Sequence, residues 1–225
     1  MKTMMTFAIT MIAASAAAVT STGEPRAPRI LVDKPGLVTT LDNDGGRVEL
    51  YARSHAARSV EFHGGAVVRE PLVELLFVGT WDKSRAELLR QSADHISATD
   101  DFQATRERGV KATALPMTTR TLAGRDKMND LDVQSMIDRA IENGSLPSRN
   151  DDTIYILFLS PSISSTLGEK AAVTDYASYH SHFHSHDVNV RYVVVPFHED
   201  LNVMNQAATA SLIRAIINPD GDGWY

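Results

Sequence analysis

The chain has 225 residues, a formal net charge of -6 at pH 7, 43% hydrophobic residues and no cysteine. This length suits one domain with its own core, and the hydrophobic fraction is too high for a disordered chain. An acidic balance without any run of Lys and Arg argues against sequence-independent binding to nucleic acid, which needs clustered cations. The lack of cysteine excludes thiol catalysis and Cys-ligated zinc.

The first 29 residues are predicted to lie outside the folded domain. Lys2 precedes a mostly apolar stretch that ends in Ala16-Ala17-Ala18, the pattern of a secretory signal peptide. We interpret residues 1–18 as that signal and 19–29 as a flexible leader. A membrane anchor is the alternative, but the stretch is shorter than the ~20 residues of a spanning helix. We therefore expect a secreted protein, extracellular or periplasmic, without a membrane span after cleavage.

Residues 30–63 are predicted to contain a small β-hairpin. The segments 36–41 and 47–51 flank Asn43-Asp44-Gly45-Gly46, which supplies the positive φ angles of a tight turn. We separate this hairpin from a following domain over residues 64–225.

Strand and helix patterns alternate along residues 64–225. Near-continuous apolar runs predict buried strands at 72–79, 153–159 and 190–197. Apolar residues at helical spacing predict helices at 84–98, 131–143 and 203–217. A weaker strand at 112–118 is placed at a sheet edge, because Pro116 cannot donate to a ladder.

Capping residues support two of these helices. Asp82 is available near the start of the first, Asp130 suits the N-cap of the second and Gly144 suits its C′ position. The alternation predicts an α/β layered domain with a mixed or mostly parallel sheet flanked by helices, preceded by the small β-hairpin region.

Five of the chain's eight histidines lie in one short stretch: His180, His182, His184, His186 and His198. If the first four are in extended backbone, they share one face at a spacing of about 6.6 Å. Two neighbours could then bind one zinc ion, with His198, Glu199 or Asp187 completing a tetrahedral shell. The alternative is an exposed or half-exposed loop without a built site. These five histidines are the candidate metal ligands, no cofactor is expected other than such a zinc ion, and no catalytic residue is assigned.

Two weaker features concern ligand binding. Trp81 and Trp224 could line a sugar-binding surface, although core or rim packing is the better explanation for two isolated tryptophans. Residues 218–223 match the first half of a calcium loop, but the closing glutamate is absent, so a turn that ends the last helix is the better interpretation.

Three separated stretches resemble the EXORDIUM-like family, also called phosphate-induced protein 1. The first is residues 62–68, Phe-His-Gly-Gly-Ala-Val-Val, leading into the strand at 72–79 and Trp81. The second is 155–161 followed by Tyr179-His180. The third is the ending Ile217-Asn218-Pro219-Asp220-Gly221-Asp222-Gly223-Trp224-Tyr225. The resemblance spans about residues 60–225, and it implies a secreted or cell-wall-associated protein of a family linked in plants to growth and cell expansion, without an established catalytic mechanism.

Some bacterial look-alikes carry Ser-His-Glu-x-x-Glu-x-x-x-Asp-Pro on the last helix, which suggests a zinc-peptidase-like site. Registering that pattern on Pro219 puts Ala210, Ser211 and Arg214 at the His, Glu and second Glu positions, and Asn218 replaces the Asp. None of the three side chains supplies the required ligand or base. The resemblance therefore implies that this helix is not catalytic here. The family's cysteines are also missing, and the chain stops at Tyr225, where relatives continue.

These observations favour a non-catalytic extracellular or envelope-associated binding protein, whose partner is an unknown cell-envelope or extracellular ligand such as a glycan. One alternative is a zinc-dependent hydrolase or peptidase-like enzyme that uses the histidines from 180 to 198. The other is a degenerate, truncated relative without retained function, for which a broad thermal transition is expected.

Overall fold

The computed structural model describes the backbone of residues 37–43 and 46–51, and residues 64–221 with their side chains. The predicted signal peptide, the predicted leader and Trp224 lie outside these ranges. The strands described are β1 (Leu37–Asn43), β2 (Gly46–Tyr51), β3 (Leu72–Val78), β4 (Met117–Leu122), β5 (Lys127–Asn129), β6 (Thr153–Leu159), β7 (Ser164–Leu167), β8 (Lys170–Ala171), β9 (Ser178–Ser185) and β10 (Val188–Val195). The helices described are α1 (Lys83–Asp94), α2 (Asp100–Ala104), α3 (Asp130–Glu142) and α4 (Leu201–Ile217).

Seven strands form one mixed sheet in the order β1-β2-β9-β10-β6-β3-β4. Neighbours from β10 to β4 are parallel, whereas β1, β2, β9 and β10 pair antiparallel. A smaller sheet has the order β5-β7-β8. The prediction of an α/β layered domain with a mixed or mostly parallel sheet is confirmed.

The central strands contribute side chains to two cores, one on each face of the large sheet. On β3, Val73, Leu75 and Phe77 pack with α1, α2 and α4, whereas Leu76 and Val78 pack with α3 and the small sheet. A strand covered on both faces needs apolar side chains at successive positions. This explains the near-continuous apolar runs that predicted β3, β6 and β10.

The connections leave the neighbouring strands β3 and β6 in opposite directions. The chain after β3 passes through α1 and α2 to β4 at one edge, whereas the chain after β6 passes through the small sheet to β9 and β10. Such a switch opens a crevice at the carboxyl ends of the parallel strands, where open α/β sheets bind ligands.

The predicted N-terminal hairpin is confirmed in β1 and β2, with Asn43 paired to Gly46. It is joined to the large sheet, because β2 pairs with β9, with Leu50 opposite Tyr179. The segment that the sequence separates from the α/β domain thus supplies two strands of its sheet.

The edge strand predicted at 112–118 is shifted. β4 begins at Met117 and ends at Leu122, after the proline rather than around it. Pro116 has no N–H, so only its carbonyl joins the ladder, where it accepts a 2.9 Å hydrogen bond from Val73 N.

The predicted N-cap of α3 is wrong, although Gly144 follows the helix with the expected positive φ, 76°. Asn129 caps the helix by accepting a 2.9 Å hydrogen bond from Asp132 N, and Asp132 accepts one from Asn129 N. Asp130 is buried and accepts a 2.7 Å hydrogen bond from the Tyr192 hydroxyl. Burial raises the pKa of Tyr192 well above its ordinary range, so the phenol keeps the proton that it donates.

β9 and β10 form a hairpin that contains the histidine run. Its two-residue turn is His186-Asp187, where both φ angles are positive, at 49° and 66°, and Ser185 pairs with Val188. Positive φ at both central residues marks a type I′ turn, which matches the twist of paired strands. The histidine run is therefore a strand that ends in a turn, rather than a loop.

None of the helices within the described ranges combines the length and hydrophobicity needed to cross a membrane.

Candidate functional site

The histidines of β9 lie on one face of the strand, as expected for extended backbone, and His186 lies in the turn. Their exposure rises along the strand: His180 is buried, His182 is partly buried and His184 is exposed. The same face is covered by α4 at its start, where the Ser178 hydroxyl donates a 3.0 Å hydrogen bond to Ala207 O. The histidine side chains therefore pass from the core to the solvent along β9.

The contact between β9 and α4, which we call the β9–α4 junction, brings together the two segments singled out in the sequence. Ser211 is 1% exposed, and its hydroxyl lies 2.7 Å from that of Ser178. His180 is 2% exposed, and its Nε2 lies 3.3 Å from the carbonyl oxygen of Asn218. The Ser211 hydroxyl and the Asn218 carbonyl thus serve the packing of α4 and the turn after it against β9.

His180 is held neutral in this junction. Burial lowers its pKa to about 3, and the positive charge of Arg214 acts in the same direction. Because the Asn218 carbonyl can only accept, the contact requires a proton on Nε2. A neutral Nε2–H imidazole satisfies both conditions.

The turn after α4 is anchored by an ion pair. Arg191 is 6% exposed, and its Nη2 and Nε lie 3.1 Å and 3.2 Å from Asp220 Oδ1. The Asp220 carboxylate is therefore already engaged by a buried cation. This agrees with the interpretation of residues 218–223 as a turn rather than a calcium loop, although residues 222 and 223 lie outside the described ranges.

His198 lies at the opposite end of β10 from His184. Asn189 pairs with His184, and the seven residues from Asn189 to Val195 span about 20 Å at the usual strand rise. One ion could not bind His184 and His198 together. Across the described residues, no group of three or more His, Asp or Glu side chains could hold a metal ion. Zinc binding by two neighbouring histidines stays a prediction.

A second arrangement lies at the carboxyl ends of β3 and β10. We call it the carboxyl-edge cluster: Trp81, Arg85, Phe197, His198 and Glu199. Arg85 Nη2 donates to the carbonyl oxygens of His198, at 2.6 Å, and Glu199, and its Cζ lies 4.8 Å from the centre of the Phe197 ring. The rings of Trp81 and Phe197 are 6.1 Å apart, and both are partly exposed. The Arg85 guanidinium anchors the loop after β10 through these two carbonyl oxygens. The rings of Trp81 and Phe197 form a half-exposed aromatic surface.

Two exposed carboxylates border this surface. Glu199 has a side chain 89% exposed and 4.0 Å from Arg85. Asp82 caps α1, and its hydrogen bond from Arg85 N, at 2.9 Å, keeps the pKa of that carboxyl below its ordinary value. Aromatic faces with a few oriented polar groups are typical of sites that recognise small polar ligands.

Backbone strain occurs beside the cluster. Val173 has a φ of 69° and is 41% exposed. A β-branched side chain in left-handed backbone is a genuine outlier, and such strain concentrates at functional sites. With Pro196, His198 and Val203, Val173 lines a narrow cleft at the carboxyl end of β10.

The sequence analysis identified Trp81 but missed Arg85 and Phe197. Arg85 lies on a predicted helix without a motif, and its partner His198 is 113 residues away. The useful signal was position, since Trp81 and Phe197 each follow a buried strand within three residues. Because α/β folds carry ligand sites at the carboxyl ends of parallel strands, these two positions predict that Trp81 and Phe197 lie at the same edge of the sheet.

Comparison with known proteins assigns no family, because no family model, no curated protein and no solved structure matches the chain.

Proposed function

We propose that this chain is a secreted or envelope-associated, EXORDIUM-like binding protein that performs no catalysis of its own. The observation that carries the proposal is the β9–α4 junction. Ser211 occupies the position of the general base in the bacterial look-alikes, and its hydroxyl is buried against Ser178. Secretion rests on the predicted signal peptide, and the family assignment rests on the resemblance of the three ordered stretches.

The ligand region of the proposed function is the carboxyl-edge cluster, and the ligand class is a glycan. Trp81 and Phe197 offer aromatic faces on which the apolar side of a sugar ring can pack. Asp82 and Glu199 are exposed carboxylates that can accept hydrogen bonds from sugar hydroxyls. The cluster lies at the end of the sheet where α/β folds carry ligands.

Replacing Trp81 by Ala is expected to abolish glycan binding, because it removes the larger of the two rings. The measurement is co-sedimentation of the purified protein with insoluble cell-wall polysaccharides, followed by titration with soluble fragments of the one retained. Trp81→Phe keeps an aromatic face and should retain part of the affinity. Leu131→Ala is the matched control, since Leu131 is 68% exposed on α3, which packs on the other face of the large sheet.

The Trp81 ring also packs edge-on against Phe77 at 5.5 Å, so thermal unfolding of each variant must accompany the binding assay. Equal binding by Trp81→Ala and the parent, with both folded, would overturn the assignment of the ligand region. Reproducible hydrolysis of peptide or glycan, abolished by mutation of a defined residue, would overturn the non-catalytic proposal as a whole.

A second candidate is a zinc-dependent hydrolase, favoured by the shared strand face of His182 and His184. It predicts about one zinc ion per chain after purification without a histidine tag and dialysis against a weak chelator. The double variant His182→Ala/His184→Ala should then lose the metal, as measured by elemental mass spectrometry. Mixed metals well below one per chain, unchanged in the double variant, would contradict this candidate.

A further inference from the structure

Within the part of the chain that the structure describes, β4 presents an open strand edge. Among the described residues only β3 pairs with it, and it ends the seven-stranded sheet. Residues 118–121, Thr-Thr-Arg-Thr, are all exposed. Open edges of this kind template pairing with another strand.

The direction of the free backbone groups follows from the ladder with β3. Val73 N donates to Pro116 O, and Gly79 N donates to Leu122 O, both at 2.9 Å. In a parallel ladder, alternate residues bond to the same neighbour, so positions 116, 118, 120 and 122 bond towards β3. Met117, Thr119 and Thr121 therefore direct their N–H and C=O groups away from the sheet.

We propose that β4 pairs with β4 of a second copy of this chain, antiparallel and centred on Thr119, to form a continuous sheet across a two-fold axis. In this register Thr119 faces Thr119 of the second copy, and Met117 faces its Thr121. Each of these is a pair that exchanges two main-chain hydrogen bonds, so the contact makes about six. Threonine pairs across strands are also favourable. The inference is independent of the proposed ligand and of catalysis.

The charges at this edge are compatible with self-pairing. A charged residue normally protects an edge strand, but Arg120 Nε lies 3.2 Å from Glu74 Oε2, and the Glu74 side chain is only 8% exposed. Thr118 also donates to that carboxylate. The two-fold register puts Arg120 opposite Thr118 of the second copy, next to its Glu74, so that neither arginine faces the other.

Sedimentation velocity of the purified chain from about 1 µM to about 1 mM, the range of weak to moderate affinities, tests the proposal. A reversible monomer–dimer equilibrium is expected. Thr119→Lys and Thr119→Glu should each weaken it about tenfold or more, because each puts like charges opposite one another at the axis. An equimolar mixture of the two variants should associate again. Thr113→Lys, in the exposed loop before β4, is the charge control and should associate like the parent.

Hydrogen exchange provides the second measurement. The amides of Met117, Thr119 and Thr121 should exchange fast in the dilute monomer. They should become protected as the protein concentration, and with it the dimer population, rises. A monomer at every concentration, a dimer unaffected by Thr119→Lys, or a mixture that fails to associate would each overturn the proposal. Protection of the three amides in the dilute monomer would also overturn it, since another segment of the same chain would then cover the edge.

Discussion

Acidification below pH 6.5 is expected to destabilise the protein through His180. The unfolded chain binds a proton at this residue near pH 6.5, whereas burial in the folded state lowers its pKa to about 3. Between these values the unfolded state carries more protons, so stability falls as pH falls, by roughly 1.4 kcal/mol per pH unit. Above pH 6.5 both states are neutral at this position, and its contribution is constant.

His180→Phe is the variant that isolates this effect. It keeps a ring in the junction, and the Asn218 carbonyl still accepts from Gly221 N at 3.2 Å. Urea unfolding at pH 7 and pH 4.5 should give a smaller pH-dependent loss for this variant than for the parent. His184→Gln, at an exposed position on the same strand, should behave like the parent. An unchanged pH dependence in His180→Phe would contradict the burial of a neutral imidazole.

Elements with long, uninterrupted patterns could be predicted from the sequence. The strand predicted at 153–159 coincides with β6, because every residue of β6 is buried and the apolar run ends where the strand ends. Short strands such as β8, Lys170–Ala171, carry no such pattern, because they exist only through pairing with β7. Their stabilisation comes from the neighbouring strand, which a local pattern does not record.

In the candidate site, too, local features could be predicted from the sequence and features that depend on tertiary packing could not. The shared face of His180, His182 and His184 follows from the two-residue period of a strand, which is local. The burial of His180 does not, since it depends on α4 and on Asn218, 38 residues later. The two histidines of similar local sequence, His180 and His184, therefore differ in exposure for reasons that only the tertiary packing supplies.

Replacing Gly79 by Ala is expected to lower the free energy of unfolding by about 3 kcal/mol or more, from overpacking together with left-handed backbone. Gly79 follows β3 at the crevice between β3 and β6, with a φ of 84°. An added Cβ would lie 2.4 Å from Ser160 Oγ and 3.0 Å from Ile163 Cδ1. Ser160 is fully buried, and its hydroxyl lies 3.0 Å from that of Ser162, so it cannot turn away without losing that contact.

The variant Gly109→Ala separates the cost of overpacking from the cost of left-handed backbone. Gly109 has a φ of 95°, but an added Cβ there meets no atom within 4 Å. Its cost is the backbone strain alone, about 1 kcal/mol. In thermal unfolding, where a chain of this size loses about 2–4 °C per kcal/mol, Gly79→Ala should melt several degrees below Gly109→Ala. Adding Ser160→Ala to Gly79→Ala removes the closest contact and should recover part of the difference. Equal melting temperatures for the two glycine variants would show that the crevice has room for a side chain, and that the close approach of β3 to the loop after β6 does not restrict this position.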